Sequence, residues 1–331
     1  MIATIVMPCR NEERYIRDAL ESVYNCDLPP GEYEVIVVDG ASTDGTVAVL
    51  EEVQEKHPDL VIKSNPDRTV PYAMNIGIRA ARGEYIIRID AHCEYPANYF
   101  SELLKYHKEL NAGNVGTLIE STVKHSTRKT ESIARVLSDS FGVGNAHFRI
   151  GTEQIREVDT VPFGCYKREV FEQIGYYDER LEKSQDFELN TRLRRHGKKI
   201  FLLPHVKVRY FVRETYGRLF RKYFANGLWN ILAVRLTGRI GNVSLRNYTP
   251  FLFVVANIGG IIASPFSAPL RLLYLSGLAI YLSTLAVRSV MIGSRKTSFF
   301  HLVWSFLVLH FSHGMGAVAG LFRQFFLPRT P

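Results

Sequence analysis

Four short apolar runs, alternating with segments of helical spacing, constrain the fold of this 331-residue chain more than any other feature. The runs are residues 2–7 (IATIVM), YEVIVVDG, LVIKSN and EYIIRID. Between them lie EERYIRDALESVYN, with Tyr15, Ile16, Ala19, Leu20 and Val23 on one helical face, then STDGTVAVLEEVQEKH and VPYAMNIGIRAAR. Strands that are apolar throughout are buried on both faces. Their alternation with helices predicts an α/β fold built on a mostly parallel sheet with helices on both faces. In the second helical segment, beginning STDGTVAVL, Ser42 or Thr43 is a cap candidate and Asp44 sits at the positive end. Sheets of this kind bind ligands beyond the carboxyl ends of their strands. Asp39 and Asp90 both fall there.

Residues 97–110 read as a further helix, and residues 111–160 are polar, weakly patterned and rich in turns. From Val161 to Tyr210 the pattern reads strand, helix, acidic loop, helix, strand. The segment 214–237 mixes Arg and Lys with Leu, Phe, Tyr and Trp229, which fits either a helix lying on a membrane surface or a packing helix.

After Arg246 charged residues almost vanish. Residues 248–266, 270–287 and 299–322 are each near the ~20 residues needed to span hydrocarbon. Three such stretches exceed what one small core hides, so membrane helices are expected rather than a buried hairpin. The first, with Asn257, a Gly-Gly pair and prolines near its ends, is open to a re-entrant path instead. Arg235, Arg239 and Arg246 precede the first stretch, and Arg288, Arg295 and Lys296 separate the second from the third. The bias of cations toward the cytoplasm puts both groups inside, whereas Arg323 and Arg329 in the tail run against it. The expected layout is a catalytic domain over 1–212, an amphipathic helical segment over 213–246 and a multi-pass membrane domain over 247–331. The start, MIATIVMPCRNEE, reads as a strand and not as a signal peptide.

The net charge of +8, from 41 Lys and Arg against 33 Asp and Glu, suggests an anionic partner such as a phosphate-rich substrate or anionic lipid. No long basic block occurs, which argues against a nucleic-acid partner. Cys9, Cys26, Cys93 and Cys165 are scattered and none forms a Cys-x-x-Cys pair, so a reduced, cytosolic setting is expected. No Gly-x-Gly-x-x-Gly follows the first strand and no Gly-Lys-Ser/Thr loop occurs, which removes the main support for a dinucleotide dehydrogenase or a P-loop NTPase.

Five pieces stand in order: MPCRNEE, VVDGASTDGT, AMNIG, RIDAHCEYP and FGCYKREVFEQIGYYDERLEKSQDFEL. Together they resemble family 2 of the inverting, nucleotide-sugar-dependent glycosyltransferases, whose fold is the Rossmann-like GT-A. The likeness covers the chain to about residue 230, and DAHCEYP with the apolar tail looks most like the succinoglycan-type glucosyltransferases of exopolysaccharide assembly.

The resemblance implies a nucleotide-sugar donor, most simply a UDP-hexose. Asp39 would accept from the uracil N3–H, although its carboxylate also suits a helix cap. Pro8, Arg10 and Glu12 would hold the nucleoside, Arg68 the diphosphate, Asn75 the ribose or sugar, and Gly164 a close backbone approach to the sugar. Glu13 reads as an exposed helix start, and Phe163 and Tyr166 as core.

The family's Asp-x-Asp is Asp90-x-His92 here. A divalent cation, Mn²⁺ or Mg²⁺, steadies the departing diphosphate, and Asp90 with His92 would ligate it. His205 is a candidate third ligand, with a strand-end histidine bonded to backbone as the alternative; His92 has a positioning role as its own alternative. Asp186 would be the catalytic base that takes the acceptor's proton, and it equally suits an N-cap; Gln185 stands where the family carries Glu. Glu188, Arg218, Arg221 and Lys222 are candidate acceptor-binding residues.

The acceptor implied is a sugar on polyprenyl diphosphate at the inner, cytoplasmic membrane face. Transfer to polyprenyl phosphate itself is the near alternative, and a non-catalytic membrane scaffold the distant one. RKYFANGLWN lacks the Gln-x-x-Arg-Trp of processive members, which points to addition of one sugar. A homo-oligomer is left open.

Overall fold

The computed structural model describes residues 1–238 and 245–324. In chain order the elements are β1 (Ala3–Cys9), α1 (Ile16–Tyr24), β2 (Tyr33–Asp39), α2 (Thr46–Lys56), β3 (Val61–Ser64), α3 (Val70–Ala80), β4 (Tyr85–Arg88), β5 (Cys93–Glu94), α4 (Tyr99–Glu109) and β6 (Asn114–Thr122). There follow α5 (Arg128–Val136), α6 (Ser140–Val143), α7 (His147–Ile150), β7 (Arg156–Glu157), β8 (Cys165–Lys167), α8 (Arg168–Ile174), α9 (Gln185–Arg195) and β9 (Ile200–Phe211). The chain ends in α10 (Tyr216–Thr237), α11 (Thr249–Ala263), α12 (Ala268–Ile292) and α13 (Phe299–Arg323). It divides into two compact units: residues 1–120 with 151–210, and residues 121–150 with the described residues from Phe211 onward.

The first unit is built on one sheet in the order β3-β2-β1-β4-β8-β6-β9-β5, with β7 paired to β9. β3, β2, β1 and β4 are parallel, and every residue of β1, β2 and β4 is buried, which is why their sequences are apolar apart from Thr4, Glu34, Arg88 and the terminal Asp39. Beyond β4 the sheet turns antiparallel: β8 pairs with β4 and β6 with β8. The sheet is therefore mixed. Its second half lies in stretches whose apolar pattern is interrupted. β6, NVGTLIEST, is buried over its first six residues, yet Gly116 and the threonines conceal it in sequence. Pro8 fits inside β1 because the β1–β4 ladder ends at Val6 and Arg88, so the missing N–H costs no ladder bond on that side.

The second unit contains a segment that the sequence pattern left as turns. α5 begins with a capping box in which Thr127 and Thr130 satisfy each other's backbone N–H groups. Asp139, just before α6, is buried and accepts from both Nε (3.0 Å) and a terminal nitrogen (2.5 Å) of Arg288 on α12. Arg135 donates to the Ile292 carbonyl (3.2 Å), and the Ser298 N–H donates to Ser132 (3.1 Å). Arg288 thus belongs to a helix and an ion pair, and not to the connecting loop, whose exposed cations are Arg295 and Lys296.

α12 and α13 are each 25 residues, long and apolar enough to cross a membrane. α11 has 15 residues, about 22 Å of helix against ~30 Å of hydrocarbon, so the expectation of three spans reduces to two long helices and one short apolar one. α13 is half buried, with α10 packed along it. Gly227 of α10 lies so close to α13 that a Cβ there would sit 1.9 Å from the His313 carbonyl, and one on Gly316 would sit 2.0 Å from the Phe224 carbonyl. Small residues permit this backbone approach. α10 is thus a packing helix, whether or not its exposed Arg218 and Arg221 also meet a surface. α12 is almost uncovered, with Leu273 and Val290 each 70% exposed. Arg239, Arg329 and the side chain of Arg246 lie outside the described residues.

Candidate active site

Among the described residues, six non-glycine residues have positive φ, and five of them (Asn11, Ala41, Arg68, Phe163 and Ser184) lie in loops next to the carboxyl ends of β1, β2 and β3, at the start of β8 or at the start of α9. Backbone strain of this kind persists where the surroundings over-determine it, and it clusters at functional sites. β8 is antiparallel to β4, with Cys165 opposite Ile87, so its start faces the end of β4.

The loops after β1 and β2 are tied together. Asn11 N–H donates to Ser42 Oγ (2.9 Å), Thr43 N–H donates to Asn11 Oδ1 (2.8 Å) and Glu12 N–H donates to Thr46 Oγ1 (2.8 Å). Asp39 is 8% exposed and accepts from the Ser42 hydroxyl (2.5 Å) and N–H (3.0 Å). Ser42 therefore closes a turn on Asp39 and does not cap α2, whose N-cap position is Gly45; Thr43 is tied to Asn11. Asp44 takes the α2 start, accepting from the Thr46 N–H (3.1 Å), and its carboxyl is held below the usual range by bonds from Thr46 and Glu13 that outweigh desolvation. Beside Asp39, burial and then the carboxylate push the Cys9 thiol far up, so it is an inert neutral group.

β4 ends in the central feature. Arg88 sits in a fully buried strand, and an arginine there requires acidic partners. One terminal nitrogen bonds Asp186 Oδ1, and the other lies 3.3 Å from Asp90 Oδ1. Burial alone would disfavour its charge; Asp186 and then Asp90 outweigh that and hold it firmly protonated. Asp90 is also gripped through its backbone: its N–H donates to the Tyr95 hydroxyl (2.7 Å), which in turn donates to its carbonyl (3.1 Å). Arg88 and Tyr95 were not among the sequence candidates. The charge inside YIIRID was the available signal for Arg88; nothing local marked Tyr95.

His92 is buried, edge-on to Tyr210 with ring centroids 4.8 Å apart, and its Nδ1 lies 3.4 Å from Glu12 Oε1. Burial lowers its pKa, but Tyr210, Glu12 and Asp90 together reverse this and lift it to about 9. Its Nε2 is buried with no hydrogen-bond partner. An imidazole oriented by a carboxylate through Nδ1, with Nε2 unsatisfied, fits a metal ligand. Among the described residues no three His, Cys, Asp or Glu side chains form a cluster able to hold an ion by themselves. One carboxylate and one imidazole fit a cation shared with substrate phosphates, the usual manner for Mg²⁺ and Mn²⁺.

Other candidates are relocated. His205 is bonded through Nε2 to Glu102 (2.7 Å) and packs on Tyr106. It lies five residues along β9 from Tyr210, about 17 Å of strand, so it is no ligand beside His92. Asn75 is 2% exposed, and its amide donates to the Tyr177 carbonyl (3.0 Å) and Glu179 (2.8 Å) and accepts from the Tyr177 N–H (3.0 Å). It pins the acidic loop and has no donor left for ribose or sugar. Glu188 is bidentate to Arg192 (2.8 and 2.9 Å), which also donates to the carbonyls of Ile174, Gly175 and Tyr176. That pair locks the turn before the loop, so Glu188 is not an acceptor contact.

Asp186 is the second residue of α9, after Ser184 in the left-handed conformation; it sits in the first turn and is not the N-cap. Gly164 has φ +34, and a Cβ would meet Asn114 Oδ1 and the Tyr166 ring at 2.6 Å, so packing inside the unit already requires glycine there. Its carbonyl accepts from the Arg88 N–H (3.0 Å), which aligns β8 with β4. Phe163 and Tyr166 are core, as expected. Arg10 lies across Gly40 and, like Arg68 in its strained loop after β3, is exposed. Arg218, Arg221 and Lys222 belong to the second unit.

A family model described as Glycosyl transferase family 2 matches residues 4–175. A dolichyl N-acetyl-α-D-glucosaminyl phosphate 3-β-D-2,3-diacetamido-2,3-dideoxy-β-D-glucuronosyltransferase of Methanococcus voltae is 30% identical over 241 residues, covering 70% of this chain and 74% of that protein. The succinoglycan biosynthesis protein ExoA of Rhizobium meliloti is 28% identical over 225 residues, 67% of each. Among solved structures, the mannosyltransferase PcManGT from Pyrobaculum calidifontis, in complex with GDP-Man and Mn²⁺, superposes with a TM-score of 0.63 at 20% identity, covering 97% of this chain and 87% of that one. The structural likeness establishes the fold.

Proposed function

Because the chain belongs to glycosyl transferase family 2 and carries the GT-A fold, we propose that it moves one hexose from a UDP-sugar to a lipid-linked sugar at the cytoplasmic face of a membrane, in the synthesis of a surface glycan. The observation that carries this reading is the meeting of Asp90 and Asp186 on the two arms of Arg88, at the rim where Asp39 ends the neighbouring strand but one.

In this reading the uracil rests against Asp39. The turn on Ser42 leaves that carboxylate acceptor capacity, since an ionised carboxylate offers about four lone-pair sites. Glu12 orients His92 and Tyr95 fixes the Asp90 backbone, so Asp90 and His92 Nε2 are the groups that would hold a divalent cation for the donor phosphates. When bound, that cation supplies positive charge to the departing diphosphate. Asp186 accepts the proton of the acceptor hydroxyl as its oxygen forms the new bond to C1. The C1–O bond to the diphosphate breaks on the opposite face, the nucleoside diphosphate leaves with that electron pair, and the anomeric configuration inverts. Arg10 and Arg68 are exposed cations on the loops of the same rim and suit the phosphates.

The lipid-linked acceptor is supported by two facts. The Methanococcus voltae relative is named for a dolichyl-phosphate-linked acceptor sugar, and the Rhizobium meliloti relative for succinoglycan biosynthesis. The second unit exposes an apolar α12, which suits lipid. Arg295 and Lys296, between α12 and α13, favour the cytoplasmic side for the end of the unit where α5 is bonded. Arg218 and Arg221 are then available to lipid phosphates.

The test is a thermal-shift screen of UDP- and GDP-sugars with Mn²⁺, followed by transfer onto polyprenyl-diphosphate-linked mono- and disaccharides. Asp186→Asn should lower transfer by about 10²–10⁴-fold while nucleotide binding changes less than about threefold. Transfer by that variant at the native rate would end the base assignment. A hexosyl-phospholipid product formed on polyprenyl phosphate itself would overturn the sugar acceptor.

A further inference from the structure

Arg88 occupies a position that neither the donor corner nor the base explains alone. It lies in the middle of the sheet, on β4 between β1 and β8, in a strand whose other residues are Tyr85, Ile86 and Ile87. Its side chain is 8% exposed, against 20% for Asp90 and 31% for Asp186. Its backbone is fixed on the β8 side by the N–H bond to Gly164. Its two terminal nitrogens go to two different carboxylates, one at the strand end and one 98 residues away on α9. A guanidinium is planar, always charged and forked, so one side chain can hold two acids at a fixed separation; an ammonium is a point charge and cannot.

The acids on either arm are anchored in different ways. Asp90 is anchored at its backbone by Tyr95. Asp186 is anchored less directly: the α9 start follows a left-handed Ser184, and the preceding loop is held by Asn75 at Tyr177 and by Arg192 at Ile174, Gly175 and Tyr176. Between that loop and the sheet, Arg88 is the contact that reaches the Asp186 carboxylate itself.

We propose that Arg88 is a positioning residue for transfer: it sets the direction of the Asp186 carboxylate relative to Asp90, and so aligns proton acceptance with the place where the donor is held. The inference rests on the reading of Asp186 as base. Arg88 does not touch the acceptor in this arrangement. It keeps the base carboxylate from rotating into solvent and gives two neighbouring anions a shared counter-charge.

The experiment uses the full chain in detergent micelles or vesicles and three substitutions. Arg88→Lys keeps the charge and loses the fork; kcat should fall at least 30-fold with the donor KM within threefold. Arg88→Ala opens a space for a guanidinium ion; kcat should fall at least 100-fold and recover at least tenfold in 50 mM guanidinium chloride, but not in 50 mM sodium chloride. UDP–Mn²⁺ affinity by calorimetry should stay within threefold for both, which puts the loss after donor binding and shows that the fold persists. Arg88→Lys with kcat within threefold of the parent, or no guanidinium-specific recovery of Arg88→Ala, overturns the proposal. A loss of UDP–Mn²⁺ affinity that accounts for the whole drop in turnover also overturns it, because the residue would then serve the donor corner alone. Asp186→Asn in the parent chain is the separate control: transfer retained there refutes the base reading, whatever Arg88 does.

Discussion

In the proposed role of His92 as a ligand, the pH dependence of cation binding should follow from the surroundings of its ring. Burial disfavours its charge, yet Tyr210, Glu12 and Asp90 together lift its pKa to about 9. An imidazole ligates only through a neutral nitrogen, so the proton and the cation compete for Nε2. At pH 7, two units below that value, roughly 1% of the side chain is neutral. Apparent Mn²⁺ affinity should therefore rise about tenfold per pH unit between 7 and 9. The full span is about 100-fold, or about 3 kcal/mol. Close to one proton should leave per ion bound at pH 7. Glu12 lies 3.4 Å from Nδ1 and favours the protonated ring, so Glu12→Gln should move the rise to lower pH.

The assay is calorimetric titration of Mn²⁺ into the UDP-saturated protein from pH 6.5 to 8.5, in two buffers of different ionisation heat. The slope of log affinity against pH and the buffer-dependent heat count the same proton independently. In His92→Gln both should vanish and affinity should be flat. A native slope below about 0.3 per pH unit, or an unchanged slope in His92→Gln, would refute ligation by this histidine.

Three other outcomes are expected. Tyr95→Phe leaves the Asp90 N–H and carbonyl without the hydroxyl that both now bond, a loss of about 1–3 kcal/mol, so donor affinity measured by calorimetry should drop about tenfold or more. His107 is 2% exposed and burial holds its pKa down at about 4; the folded state refuses a proton that the unfolded chain takes below about 6.5. Its stability contribution is complete above 6.5 and is lost as pH falls toward 4, about 3 kcal/mol in all, and the pH dependence of urea unfolding should shrink by that amount in His107→Gln. Gly227→Leu should destabilise the second unit by about 1–3 kcal/mol or more, read as a lower melting temperature in detergent, whereas Gly217→Ala on the same helix has nothing within 4 Å and should leave it unchanged.

Asp39 and Asp90 were legible in the sequence because each ends a mostly apolar run, interrupted only by Glu34 in one and Arg88 in the other, and such runs mark strands buried on both faces. β6 was not legible: NVGTLIEST places Gly116 where the chain packs closely on Val161, and it alternates no faces. α5 was hidden by its polarity and by a capping box closed with Thr130 instead of the usual Glu or Gln. Asn75, Glu188 and His205 have residue types suited to ligand binding, but their side chains are committed to Tyr177, Arg192 and Glu102. Such commitments are long-range and only coordinates reveal them. The Arg88–Asp186 bond spans 98 residues, yet one partner is visible in the sequence: an arginine in a buried, otherwise apolar strand demands an acid from somewhere.

The charges of the corner give a physical reason for histidine at position 92. Without donor, Arg88 and a protonated His92 face Glu12, Asp90 and Asp186, two cations against three carboxylates. A second aspartate there would leave Arg88 alone against four carboxylates in a partly buried site, where like charges are costly. The imidazole avoids that, and as a ligand it would yield its proton to a divalent cation, so that part of the incoming charge would be balanced by a leaving proton. The consequence is selectivity. Neutral imidazole is a better ligand for Mn²⁺ than for Mg²⁺, which prefers oxygen and dehydrates reluctantly. Half-maximal UDP binding should therefore need at least tenfold less Mn²⁺ than Mg²⁺, and His92→Asp should narrow that gap by admitting a second oxygen ligand. An equal requirement for the two ions in the parent chain would mean that His92 orients the corner without touching the metal, and that Asp90 alone joins the cation to the protein.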